Sequence, residues 1–181
     1  MGMISSKILD LLQTQYKHES SNHFRYVARS SWSRYRGLEA AGDFFAKEAE
    51  GEAGHAKIVR DYIESRNEAV DPAGFDFSDA SQWNYYDELF TTAQQVEYET
   101  TDMLNNIYSV AMESGDFMTS TWVQGLITEQ IEEENLYQTM IDRIVQRGGG
   151  VDQVTAINAF RKDISAVHDF EIFLSERNED E

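Results

Sequence analysis

Cysteine is absent from all 181 residues of this chain. That removes disulfides, thiolate nucleophiles, zinc fingers and Cys-held iron–sulfur clusters at once. Basic side chains are scarce: 15 Lys and Arg stand against 33 Asp and Glu, a formal net charge of −18. Phosphate binding needs Lys and Arg, so nucleic acid is excluded as a partner. An anionic membrane surface is disfavoured for the same reason. No stretch stays apolar for the roughly 20 residues that a membrane span requires. The segment from Met1 to Gln15 has no basic region followed by an apolar core, so no secretory signal is read there. Met1-Gly2-Met3-Ile4-Ser5-Ser6 matches a short myristoylation pattern. Chance is the simpler reading, because the nearby Lys7 alone makes no polybasic second signal. The expected location is the cytoplasm, or an organelle lumen after loss of a transit peptide.

What is present suffices for a core: 41% of residues are hydrophobic and 12% aromatic. The single proline, Pro72, lies in an Asn/Asp/Pro/Gly-rich stretch, 67–77, that reads as loop. Other breaks are Arg36-Gly37, Glu113-Ser114-Gly115-Asp116 and Gly148-Gly149-Gly150. Between them lie four long segments, 4–36, 39–66, 81–112 and 117–147, all with helical periodicity. A fifth, shorter helix is expected over 151–174, followed by a loose acidic tail, 175–181. The reading is all-α: a four-helix bundle. The first and third links are short and call for antiparallel neighbours. The second is long enough to cross the bundle.

Residues seven apart share a helix face. The inward stripes are Leu12, Glu19, Tyr26; Phe45, Glu52, Val59; Phe90, Glu97, Leu104; and Leu126, Glu133, Met140. His55 lies one turn past Glu52, and Gln130 one turn before Glu133. Each stripe carries a glutamate near its middle. A buried carboxylate costs several kcal/mol unless compensated, and no matching Lys or Arg lies on these stripes. Two divalent cations balance four carboxylates in charge. Oxygen ligands with one imidazole suit iron or manganese, with zinc able to compete at Glu52-x-x-His55. That pair at i, i+3 clasps one ion.

These residues make the chain resemble the non-haem ferritins of the bacterial type, over nearly its whole length from Leu11 to Ile172. Asp87-Glu88-Leu89-Phe90 and Glu129-Gln130-Ile131-Glu132-Glu133-Glu134 are similar in local text. The resemblance implies a ferritin-like di-iron domain over residues 1–174 and a ferroxidase centre with two irons per chain. Glu19 and His55 would hold one iron, Glu52 would bridge, and Glu97 and Glu133 would hold the second with Gln130 beside it. Tyr26 would either donate an electron or serve as a core tyrosine bonded to a ligand carboxylate. The implied activity is oxidation of Fe2+ by O2, with ferric mineral stored in a cage of 24 identical subunits.

The chain departs from the family pattern in places. Gly51 stands where bacterial ferritins carry a glutamate for a third iron. Glu48, Glu129 and Glu132 read either as a substitute third site or as a solvated acidic face. Ser120 and Val123 replace the acids that line the three-fold channels of animal ferritins. Ala53 stands where bacterioferritins carry their haem-ligating methionine, so no haem is expected. Two other readings stay open, a passive cage with a slow centre and a di-iron oxidase or peroxidase that forms no cage. His18, His23 and His168 receive no role, and Trp32, Trp83 and Trp122 read as packing residues.

Overall fold

The computed structural model describes residues 4–71, 74–75, 83–150 and 152–180. Pro72 and the Met1–Met3 part of the myristoylation pattern lie outside the described residues. The described chain is helical, with no strand: α1 (Ser6–Tyr35), α2 (Glu39–Ser65), α3 (Asp87–Ser114), α4 (Phe117–Arg147), α5 (Gln153–Phe160) and α6 (Ile164–Asp180).

Local chemistry sets the ends. Ser5 accepts from the Ile8 amide and starts α1. Gly115 takes a left-handed conformation, φ 73°, and closes α3, while Asp116 caps α4 through the Thr119 amide. Two residues thus stop one helix and start the next, which forces an antiparallel turn. Helix α3 begins at Asp87 rather than 81. The Glu88 carboxylate draws the Asn84 and Tyr85 amides into a turn ahead of the helix.

Cross-helix bonds set the directions. Ser30 bonds to Gly42, His23 to Ala49 and Gln13 to Ala69, so α1 and α2 run antiparallel. Gln94 with Gln138 and Tyr108 with Gln124 make α3 and α4 antiparallel. Arg29 with Leu89 and His18 with Thr100 make α1 antiparallel to α3. Helices α2 and α3 therefore run the same way, so the end of α2 and the start of α3 lie at opposite ends of the bundle. Lys17 holds Asp71 at 2.9 Å, and Gln13 accepts from its amide, fastening the chain just after α2 to α1.

The C-terminal region departs from the sequence reading. The single fifth helix is two, broken at Arg161–Asp163. Asp163 turns its carboxylate onto the Ser165 amide, as a helix N-cap does. The expected loose tail is helical as far as Asp180. It is tied down by fully buried Phe170 and Leu174 and by Asn178, which donates to the Ala40 carbonyl.

Two apolar clusters fill the bundle. One is aromatic, around Tyr26, Phe45, Phe90, Tyr137 and Phe170. The other is aliphatic, around Leu12, Val59, Leu104, Val123 and Leu126. Every heptad stripe starts in one cluster and ends in the other. The four glutamates fall in the polar layer between them. Trp83 and Trp32 meet edge to face, and Trp122 stacks on Tyr62, consistent with packing roles.

Candidate metal centre

Glu19 on α1 and Glu52 and His55 on α2 converge: one ligand atom of each lies within 4.8 Å of the other two. Among the described residues this is the only such group of acids or histidines. Glu19 and Glu52 are buried, and the half-buried His55 has Nδ1 3.8 Å from Glu52 Oε2. Gln15 donates to Glu19 Oε1 at 2.6 Å. Glu19 Oε2 and Glu52 Oε2 are buried and have no hydrogen-bond partner. Orphaned buried oxygens are rare in native proteins. Two of them facing one imidazole suit a bound cation.

Glu97 from α3 completes the layer. Gln130 on α4 donates to Glu97 Oε2 at 2.7 Å, and the Tyr26 hydroxyl donates to Oε1. Both Glu97 and Gln130 are buried. Glu133, one turn past Gln130, is half-buried and lies outside the tight group. It still feels Glu97 and His55 electrostatically.

Burial is the largest influence on every carboxyl of the layer, and it favours the neutral form. Glu19 is pushed well above the usual carboxylate range by burial and then by Glu52 beside it. Burial and Glu97 do the same to Glu52. Burial raises Glu97, although Tyr26 and Gln130 pull it back by donating hydrogen bonds. Glu133 rises to about 7, through burial and then Glu97. Tyr26 is likewise raised by burial and by Glu97. Holding three buried acids and a half-buried fourth together costs stability. A cation there would reverse the penalty.

The outer acids are arranged differently. Glu48, Glu52, His55, Glu132 and Glu133 line a cavity of about 470 Å3. Glu48 accepts from Tyr137 at 3.1 Å. Glu129 instead approaches His55 Nε2, at 3.7 Å. The three acids read as a third site therefore do not converge as the inner group does. Gly51 leaves open space where a side chain would project. Ser120 and Val123 are buried in the bundle, so they do not face a surface channel. His18 bonds to Thr100, and His23 to the Ala49 carbonyl.

Three contributors escaped the sequence reading. Gln15 lies one helical turn before Glu19, a spacing that signals contact but not identity. Tyr137 lies one turn past Glu133, and its ring is parallel to that of Tyr26, with centroids 6.3 Å apart. Arg29 is buried, yet its guanidinium contacts the Leu89 carbonyl, Thr92 and the Tyr26 and Trp83 rings instead of the glutamates.

Comparison with known proteins gives one family and one fold. The chain is 26% identical over 169 residues to the bacterial non-heme ferritin of Staphylococcus aureus, covering 91% of this chain and 96% of that one. The Staphylococcus haemolyticus protein of the same name is 24% identical over 164 residues, with the same coverage. The fold superposes on an open pore ferritin from the archaeon Archaeoglobus fulgidus with a TM-score of 0.83, at 21% identity, over 96% of this chain and 97% of that one. An engineered closed form of the Archaeoglobus ferritin gives a TM-score of 0.81 at 21% identity, over 95% and 96% of the two chains. With the Ferritin-like domain matched over residues 9–158, the chain belongs to the ferritin-like family.

Proposed function

We propose that this chain is a ferritin subunit that stores iron and oxidises Fe2+ with O2 at the Glu19, Glu52, His55, Glu97 and Glu133 layer. The observation that carries the reading is the convergence of Glu19, Glu52 and His55 with two buried, unbonded carboxylate oxygens. Iron is the substrate. Glu19 and His55 hold one ferrous ion, Glu97 and Glu133 hold a second, and Glu52 bridges the pair. Gln15 donates to Glu19 Oε1, which leaves Oε2 for an ion, and Gln130 and Tyr26 hold the two oxygens of Glu97 in position. Each ion gives one electron to O2, and the dry layer keeps bulk water away from the reacting pair. The protons that leave the glutamates as iron binds are available to reduced oxygen.

Storage requires a compartment, and exposed apolar side chains support assembly with further copies. Tyr35 is 90% exposed, Ile164 86%, Val154 70% and Phe117 64%. Symmetric closure of identical subunits would cover them. A cage of 24 is the form proposed. A charge of −18 per chain would concentrate cations around it.

The test is stopped-flow absorbance after mixing metal-free protein with two Fe2+ per chain in air. Wild type should oxidise iron well ahead of buffer, and Glu52→Ala should fall by about 100-fold or more, having lost the bridging ligand. Normal rates in Glu52→Ala would rule out the assignment. Wild-type oxidation at the rate of buffer would leave a passive store.

A further inference from the structure

The cavity beside the centre has a third wall, and that wall is α6. Arg177 from α6 and Lys47 from α2 line it together with Glu48, Glu52 and Glu133. Glu52 is 6% exposed, whereas Glu132 at the rim is exposed, so the cavity runs from the surface to the inner carboxylates. Glu52 itself lines it.

We infer that Arg177 is a tethered cation in the wall of the cavity beside the metal centre, and that divalent ions load Glu52 and His55 against its charge. The inference rests on the metal centre proposed above. Arginine keeps its charge at any physiological pH and cannot ligate a metal. It therefore weakens the attraction of the acids around it without becoming part of the site. Its position is held on both sides. Three residues earlier, Leu174 is fully buried. One turn before that, the Glu171 carboxylate accepts from the Ala40 and Ala41 amides at 3.0 and 3.2 Å. The next residue, Asn178, donates to the Ala40 carbonyl at 3.1 Å. Helix α6 is thus fastened to the start of α2, and Arg177 is presented to the cavity from a fixed base. The acids at the rim face a positive charge belonging to the chain itself, which disfavours extra metal there and slows entry to the inner ligands.

The test is a Mn2+ titration of metal-free, full-length protein at low ionic strength, with free Mn2+ followed by its paramagnetic resonance signal. Arg177→Gln should bind about tenfold tighter, the scale of one unit charge at close range in a partly solvated cavity. Arg177→Lys retains the charge and should stay within about twofold of wild type. The gap between Arg177→Gln and wild type should shrink several-fold in roughly 0.5 M NaCl, because salt screens charge. Lys47→Gln should shift affinity in the same direction, and it carries the test if Arg177→Gln does not fold. Wild-type affinity in Arg177→Gln overturns the inference, as does an equal gain in Arg177→Lys. Glu52→Gln separates the two levels. If it abolishes tight binding while Arg177→Gln changes nothing, the tethered cation fails and the centre stands. If Glu52→Gln binds as wild type, the centre itself is misplaced.

Discussion

At Glu133 the consequences of burial can be measured. Its folded-state pKa stands at about 7, against an ordinary value of 4.5. The folded chain keeps a proton there that the unfolded chain has already released. Stability from this group is therefore greatest below 4.5 and is lost as pH rises through about 7. Glu19, Glu52 and Glu97 are raised too and act in the same direction. Metal-free protein should melt at a lower temperature at about pH 7 than at about pH 5. Glu133→Gln should flatten part of that slope, and a bound divalent ion should remove most of it. Calorimetry across this range checks the expectation. A melting temperature that rises from pH 5 to 7, or an identical slope in the variant, would contradict it. These four acids were legible in the sequence because a heptad spacing puts them on the same stripe as core residues. Gln15 and Tyr137 were not, because a polar residue one turn away reads equally well as surface.

Among the elements, α6 adds specific polar anchors to its buried Phe170 and Leu174. Glu171 supplies the N-terminus of α2 with the carboxylate that Leu38, its N-cap residue, lacks. The Tyr86 hydroxyl donates to the same carboxylate. Just ahead of α6, Arg161 grips Asp87 with two bonds of 2.7 Å. Asp87 is 1% exposed, so Arg161→Ala would strand a buried charge at the start of α3. The variant should lose about 3 kcal/mol in denaturant unfolding, while Arg161→Lys recovers part of it. A loss under about 1 kcal/mol would mean that water already reaches Asp87. The break before α6 was hidden because Asp163 suits a helix interior as an exposed acid and suits an N-cap equally well. Its choice depends on what Phe160 and Phe170 pack against, and both belong to the aromatic cluster.

For the whole molecule, the two apolar clusters and the polar layer between them set what the bundle can do. The clusters supply the stability that lets Glu19, Glu52 and Glu97 stay buried. The outer surface carries apolar groups that a lone chain leaves wet. Mass photometry should find a particle far heavier than the 20.8 kDa chain, about 0.5 MDa for 24 copies. Ile164→Asp puts a charge on an apolar side chain that is 86% exposed. It should break the particle into smaller species without unfolding the chain, which circular dichroism would report. A monomer in the wild type would remove the compartment from the proposed function and leave only the chemistry of the centre.

The order of helices, the crossover and the inward glutamates came from sequence alone. Helical period and connection length are local properties, and a heptad spacing carries them into three dimensions. The convergence of Glu19, Glu52 and His55, the divergence of Glu129 from Glu48 and Glu132, and the arrival of Arg177 at the cavity needed the folded chain. Each depends on how far one helix slides or turns against another. That offset is set by the packing of distant side chains and leaves no period to read.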